Sequence, residues 1–283
     1  MKIKVSCIQN CAEDNLSHNL QDTSDLVRRA REAGAELICL AEFFSFLHLD
    51  DNGLNVAPFE ESVHPTLSTI QSLAQEVDAW ILLGSIAVSD SEGKKLNRSI
   101  MLSPQGEIIS RYDKIHLFDV NLPNGEVYRE SAIFNPGNEA VLAQLPWGSV
   151  GLTVCYDLRF PHLYRALAHS GAQILTVPAA FTRTTGQAHW HVMLRSRAIE
   201  TGCYVVAPCQ YGDHGKAKTY GHSLIIDPWG RVLADGGESR GYIISDVDLS
   251  EVEKARQMIP ALEHDRPYRV PDKNEPELFR QAS

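Results

Sequence analysis

No run of about 18 apolar residues interrupts the 283-residue chain, so no transmembrane helix is expected. The opening MKIKVSCIQN alternates polar and apolar residues and has no apolar block of the signal-peptide kind, which points to a cytoplasmic protein. A basic excess is also missing: 26 Lys and Arg stand against 36 Asp and Glu, a net charge of −10. A general nucleic-acid binder needs a basic stripe to displace phosphate counterions, so that class is excluded. A local pocket can still carry positive charge for a small anion. The six cysteines, Cys7, Cys11, Cys39, Cys155, Cys203 and Cys209, include no CxxC pair, and their spacing fits neither a zinc site nor a disulfide framework. They read as reduced thiols, most of them small buried hydrophobes. No linker, repeat or low-complexity stretch breaks the chain, so one domain over residues 1–283 is the economical reading, with an extended tail from about residue 260.

What is present is a core-forming chain, 43% hydrophobic and 22% charged. Strand-like and helix-like segments alternate almost to the end. Strands are expected at 3–9, 36–40, 80–88, 97–102, 107–112, 150–154, 173–177, 204–207, 222–226, 231–234 and 242–248. Helices are expected at 19–33, 65–77, 161–169 and 188–200, with a short one from Ser250. Ser103-Pro104-Gln105-Gly106 and Asp227-Pro228-Trp229-Gly230 are hairpin turns. Residues 117–136 are polar and aperiodic, a surface excursion. Hairpins mixed with β-α-β units require mixed sheets, and about a dozen strands favour two packed sheets covered by helices.

The strongest chemical signal is Gly151-Leu152-Thr153-Val154-Cys155-Tyr156-Asp157-Leu158-Arg159-Phe160-Pro161. An apolar strand ends at Cys155 and a helix begins within a few residues, the logic of a nucleophile elbow without the GxSxG sequence. A helix N-terminus there would lower the thiol pKa and offer oxyanion donors. Taken alone, Cys155 could equally be packing. Glu42 follows a buried strand among Ala41, Phe43, Phe44 and Phe46, apolar company that disfavours its ionised form and suits a general base. Lys114 follows a hairpin strand, where a lysine is otherwise ordinary.

Together, Glu42, Lys114 and Cys155 arrive in the order and at the strand ends of the nitrilase (carbon–nitrogen hydrolase) superfamily, which the chain resembles from KVSCIQ to the DPWG hairpin. CYDLRFPHLYRAL, PAAFTRTTGQAHWHVMLRSRAIE and YGHSLIIDPWG resemble the branch of amidases acting on deaminated glutathione. The resemblance implies a four-layer αββα sandwich and a homodimer or larger homo-oligomer. It also implies attack by Cys155 on an amide carbonyl with Glu42 as base, and an oxyanion held by Lys114 and the Tyr156 backbone N–H. A thioester intermediate and ammonia release follow, with no metal or organic cofactor. Glu130 matches a further active-site carboxylate that would orient Lys114, with Glu126 as fallback.

Arg159 or Arg183 would pair with a substrate carboxylate, and Phe181, Thr182 and Thr185 lie on a loop that sets specificity. His189 and His191 suggest a metal pair, but an i,i+2 pair on a helix faces different sides. His191 stands where the family commonly carries Glu. The preferred substrate is the terminal amide of a small 2-oxo acid, deaminated glutathione. Omega-amidase action on 2-oxoglutaramate, N-carbamoyl amine hydrolysis and a catalytically idle scaffold are the alternatives.

Overall fold

A computed structural model describes residues 1–51, 53–89 and 92–269. Period-2 patterning builds the first large sheet, ordered Gly241–Asp248, Lys2–Gln9, Leu37–Cys39, Trp80–Ser89, Lys95–Leu102, Ile108–Asp113, with Phe59–Glu60 pairing beside the long Trp80–Ser89 strand. Along Leu37–Cys39, Leu37 and Cys39 enter the core between the sheets, while Ile38 faces the helices. The same alternation sends Leu82 and Met101 inward and Ile81, Leu83, Ile100 and Leu102 outward.

The second sheet is ordered Val141–Leu145, Gly148–Leu152, Ile174–Thr176, Tyr204–Ala207, Leu224–Ile226, Val232–Asp235. Both sheets mix parallel and antiparallel pairs. Helices α1 (Leu16–Glu32) and α2 (Pro65–Val77) cover the first sheet through Leu26, Val27, Ile70 and Leu73. Helices α3 (Pro161–His169) and α4 (Arg183–Thr201) cover the second through Leu163, Leu167, Trp190 and Leu194. The result is the expected four-layer αββα sandwich; α5 (Ser250–Met258) follows the last strand. No helix among the described residues is long and apolar enough to cross a membrane.

Several boundaries differ from expectation for local reasons. Helix α1 begins three residues early because the Asn15 side chain accepts from His18 N at 3.0 Å. Helix α4 begins at Arg183 rather than 188, capped by Thr182, whose side chain accepts from Thr185 N. Gly186, a poor helix former, sits there because a Cβ would come within 2.3 Å of the Tyr220 ring. The excursion at 117–136 is not aperiodic: Asp119–Asn121 pairs with Val127–Arg129, and Glu130–Ala132 forms a 3-10 turn. The edge strand Val141–Leu145 and the hairpins His48–Asp50/Gly53–Asn55 and Tyr211–His214/Ala217–Tyr220 were not anticipated. Past Pro260 the chain turns, and Arg165 holds Asp265 and the Ala261 carbonyl. Residues 270–283 of the expected tail lie outside the described residues.

Candidate active site

Glu42 lies three residues beyond the Leu37–Cys39 strand. The chain passes so close to its neighbour here that a Cβ on Gly84 would stand 1.9 Å from the Leu40 carbonyl oxygen. Phe43, next to Glu42, has φ of 51°, a left-handed conformation costing roughly 1–2 kcal/mol. The bend turns the carboxylate inward, where it is 3% exposed. Its Oε1 accepts from Asn97 Nδ2 at 2.9 Å and Lys114 Nζ at 3.0 Å, and its Oε2 from Ala180 N at 2.8 Å.

Lys114 follows the Ile108–Asp113 strand, its backbone N–H bonded to Asn97 O at 2.9 Å. Its ammonium, 2% exposed, donates to Glu130 at 2.8 and 3.0 Å besides Glu42. Burial alone would lower its pKa, but the Glu130 and Glu42 carboxylates outweigh that and hold it well above the usual lysine value. Glu130 also accepts from Asn97 Nδ2 at 3.0 Å and from Phe118 N at 2.6 Å. Glu126, the fallback residue, instead bonds Asn124 Nδ2 and the Tyr128 hydroxyl.

Cys155 opens a 3-10 turn, Cys155–Arg159, three residues past the Gly148–Leu152 strand, with φ of 48°. Its N–H donates to Pro178 O at 2.8 Å. Asp157, fully buried, anchors this strained elbow by accepting from Val154 N at 2.8 Å. It also accepts from Tyr112 Oη at 2.7 Å, from His116 N at 3.1 Å and lies 2.7 Å from His116 Nδ1. Tyr112 and His116 sit two residues either side of Lys114, so one carboxylate fixes the thiol-bearing turn against the lysine-bearing strand. The expected drop in thiol pKa is reversed. Burial first, then the Glu42 carboxylate, pushes it well above the usual thiol value against the pull of Lys114. The five-residue turn offers too little dipole to compete.

A family model described as carbon-nitrogen hydrolase matches residues 4–257. The chain belongs to the carbon–nitrogen hydrolase family. It is an amidase-type hydrolase of non-peptide carbon–nitrogen bonds within the nitrilase superfamily. A Synechocystis protein named deaminated glutathione amidase is 42% identical over 92% of this chain and 96% of its own. The human protein of that name is 37% identical over 93% of this chain and 82% of its own. The crystal structure of the C. elegans NitFhit protein superposes with a TM-score of 0.85 at 34% identity. That match covers 94% of this chain, which spans 65% of that protein.

In this hydrolase Glu42, Lys114, Glu130, Cys155 and Tyr156 line one open cavity of about 390 Å³. Phe181, Thr182 and Thr185 join its wall, Thr185 from the first turn of α4 rather than from a loop. Arg159 and Arg183 are not among the lining residues. Arg159 is drawn away by ring faces, its guanidinium 5.8 Å from the Tyr156 ring centroid and 5.6 Å from that of Phe181, with His189 Nδ1 at 3.2 Å. The cations that do line the cavity, besides Lys114, are Arg129 and Lys218.

The unanticipated hairpins line the cavity too, through Leu49, Leu54, Lys218 and Thr219. Asn97 and Asp157 were missed as well. An Asp just inside a turn after a strand end was a readable signal for Asp157, whereas Asn97, mid-strand, offered none. His189 and His191 do face different ways, His191 toward Asp235 at 3.2 Å.

Proposed function

We propose that this hydrolase cleaves the amide between the distal carboxyl of the 2-oxoglutaryl group and cysteinylglycine in deaminated glutathione, with Cys155 as nucleophile, Glu42 as base and Lys114 as oxyanion partner. The observation that carries this reading is the Lys114 ammonium clasped by Glu42 and Glu130 beside a buried thiol in one cavity. The thiol rests protonated, so attack requires proton transfer. Glu42 takes the thiol proton as Cys155 Sγ bonds the carbonyl carbon, and the site keeps its total charge throughout.

The oxyanion is met by Lys114 Nζ and by the Tyr156 N–H, one of the early donors that a helical turn leaves free. Collapse expels the amine, which takes the proton from Glu42 and leaves a thioester. Glu42 then deprotonates water for attack on the thioester, and the departing sulfur recovers a proton from it. Glu130 positions Lys114 and keeps it charged. Neither a metal nor an organic cofactor is needed for these steps.

The substrate rests on the curated relatives' names, the cavity volume and the cations Arg129 and Lys218 in its lining, which suit an anionic ligand. Deaminated glutathione is a 2-oxoglutaryl amide of cysteinylglycine. Its only non-peptide amide therefore releases the dipeptide amine, and the expected ammonia fits 2-oxoglutaramate alone. Mass spectrometry of both substrates tests this. Formation of 2-oxoglutarate and cysteinylglycine at the higher kcat/KM supports the proposal. Faster ammonia release from 2-oxoglutaramate would move the assignment there, preference for an N-carbamoyl amine would also displace it, and no turnover of any amide would favour a scaffold.

The same proposal takes residues 1–283 as one cytoplasmic domain that pairs as a homodimer. The family match over 4–257, the free thiols and the apolar exposure of Val192, Ile199, Trp229, Met258 and Ile259 support it. Light scattering that gave a monomer would remove the dimer.

A further inference from the structure

Away from the cavity, His191, His222 and Asp235 bring one ligand atom each within 4.8 Å of one another. The three come from separate elements: helix α4, the residue leading into the Leu224–Ile226 strand, and the end of the Val232–Asp235 strand. His191 Nε2 stands 3.2 Å from Asp235 Oδ2, and His222 Nδ1 2.9 Å from Asp235 Oδ1. Around a tetrahedral ion with bonds of about 2.0–2.1 Å, neighbouring ligand atoms stand roughly 3.3 Å apart. Both histidine–carboxylate separations therefore lie close to that value, each to its own oxygen of Asp235.

The surroundings fix them there. His222 has φ of 52°, a conformation that a histidine keeps only where neighbours impose it. Its N–H donates to Gly237 O at 2.6 Å, and its carbonyl accepts from Trp190 Nε1 at 2.7 Å. The Tyr220 ring stacks on its imidazole at 4.5 Å between centroids. Glu238 Oε1 lies 3.8 Å from His222 Nε2, the outer nitrogen. Asp235 Oδ1 also accepts from Gly237 N at 2.9 Å. Side-chain exposures of 21–37% leave the cluster open to solvent ions.

We propose that His191, His222 and Asp235 form a structural site for a divalent transition ion of the Zn²⁺ class, with water in the fourth position. Two imidazoles and one carboxylate suit borderline ions such as zinc, cobalt or nickel and not Mg²⁺ or Ca²⁺, which take all-oxygen shells. The ion staples α4 to the hairpin behind it. Trp190, bonded to His222 O, packs its ring 4.8 Å from Phe181 in the cavity wall, so the staple stiffens that wall without touching the reaction. The site stands whether or not the proposed reaction is correct.

The test uses tag-free, chelator-stripped Cys155→Ala protein, which removes the active-site thiol as a competing ligand, while a thiolate charge-transfer band would expose binding at another cysteine. Zinc chloride titration by calorimetry should give one ion per chain and a higher Tm than in EDTA. Co²⁺ should give a visible d–d band without a thiolate charge-transfer band. His191→Gln and Asp235→Asn, each still folded by circular dichroism, should weaken binding by more than about tenfold, the lower end of what even outer-shell losses cost. Absence of saturable binding, or binding undiminished in both variants, overturns the site and leaves a hydrogen-bonded His–Asp cluster.

Discussion

The two large sheets repeat one plan. Each runs antiparallel, parallel, parallel, antiparallel, antiparallel across its six ordered strands. The correspondence holds to the residue. Cys7 pairs with Cys39 and Cys39 with Leu82, just as Leu152 pairs with Thr176 and Thr176 with Val206. Three residues further on, an isolated parallel bridge joins Glu42 to Ser85 in one sheet and Ala179 to Cys209 in the other. Glu42 and Ala179 are thus sister positions, as are Asn10 and Cys155. One sheet contributes the base and the lysine, the other the thiol, and the sister places hold an amide and a methyl group. Strand order decides where a side chain can point; which residue stands there decides whether chemistry follows. The halves meet where Glu42 Oε2 accepts from Ala180 N, one residue past its own sister.

The largest effect should come from removing the thiol. Cys155→Ala is expected to lower amidase kcat by at least about 10⁴-fold with little change in Tm, because a nucleophile has no substitute. Next is Glu42→Gln, expected to lower kcat by roughly 10²–10⁴-fold. The same change should accelerate iodoacetamide labelling of Cys155 near pH 8. The Glu42 charge raises the thiol pKa, so a neutral amide lets it fall and increases the thiolate fraction. Unchanged alkylation alongside retained activity would show that Glu42 does not act on the thiol.

Smaller still is Asp157→Asn, which weakens the link between the elbow and the lysine strand. A stability loss of about 1–3 kcal/mol is expected by chemical denaturation, with a drop in kcat rather than a rise in KM. The smallest catalytic effect belongs to Asn10→Ala at the sister of Cys155. Its amide donates to Phe44 O at 2.7 Å, so stability should fall by about 1–3 kcal/mol. Activity per folded molecule should hold, and a large kcat loss there would break the distinction between the halves.

Much of this was legible in residues. Pro65 and Pro161 mark helix starts correctly because proline suits the first turn. Glu42, Lys114 and Cys155 were singled out only as a set, by the order and strand-end places they share with the family the chain resembles, and the structure brings all three to one cavity. What escaped was set by distant partners. Thr184, Thr185 and Gly186 look like loop until Tyr220 and the Thr182 cap are present. Arg159 looked like a carboxylate clamp until Tyr156, Phe181 and His189 claimed it. Glu130 and Glu126 are four residues apart in an irregular segment, and only the turn Glu130–Ala132 decides which one meets Lys114.

The strand Lys2–Gln9 pairs along all eight of its residues with Gly241–Asp248, Lys2 opposite Asp248 and Gln9 opposite Gly241. During synthesis Lys2–Gln9 emerges from the ribosome long before Gly241–Asp248 and waits for it with its outer edge uncovered. A contact of such long range slows folding and leaves a β edge open to strangers meanwhile. A nascent chain stalled before Gly241 should therefore be a chaperone client, and release of Gly241–Asp248 the moment at which the first sheet closes.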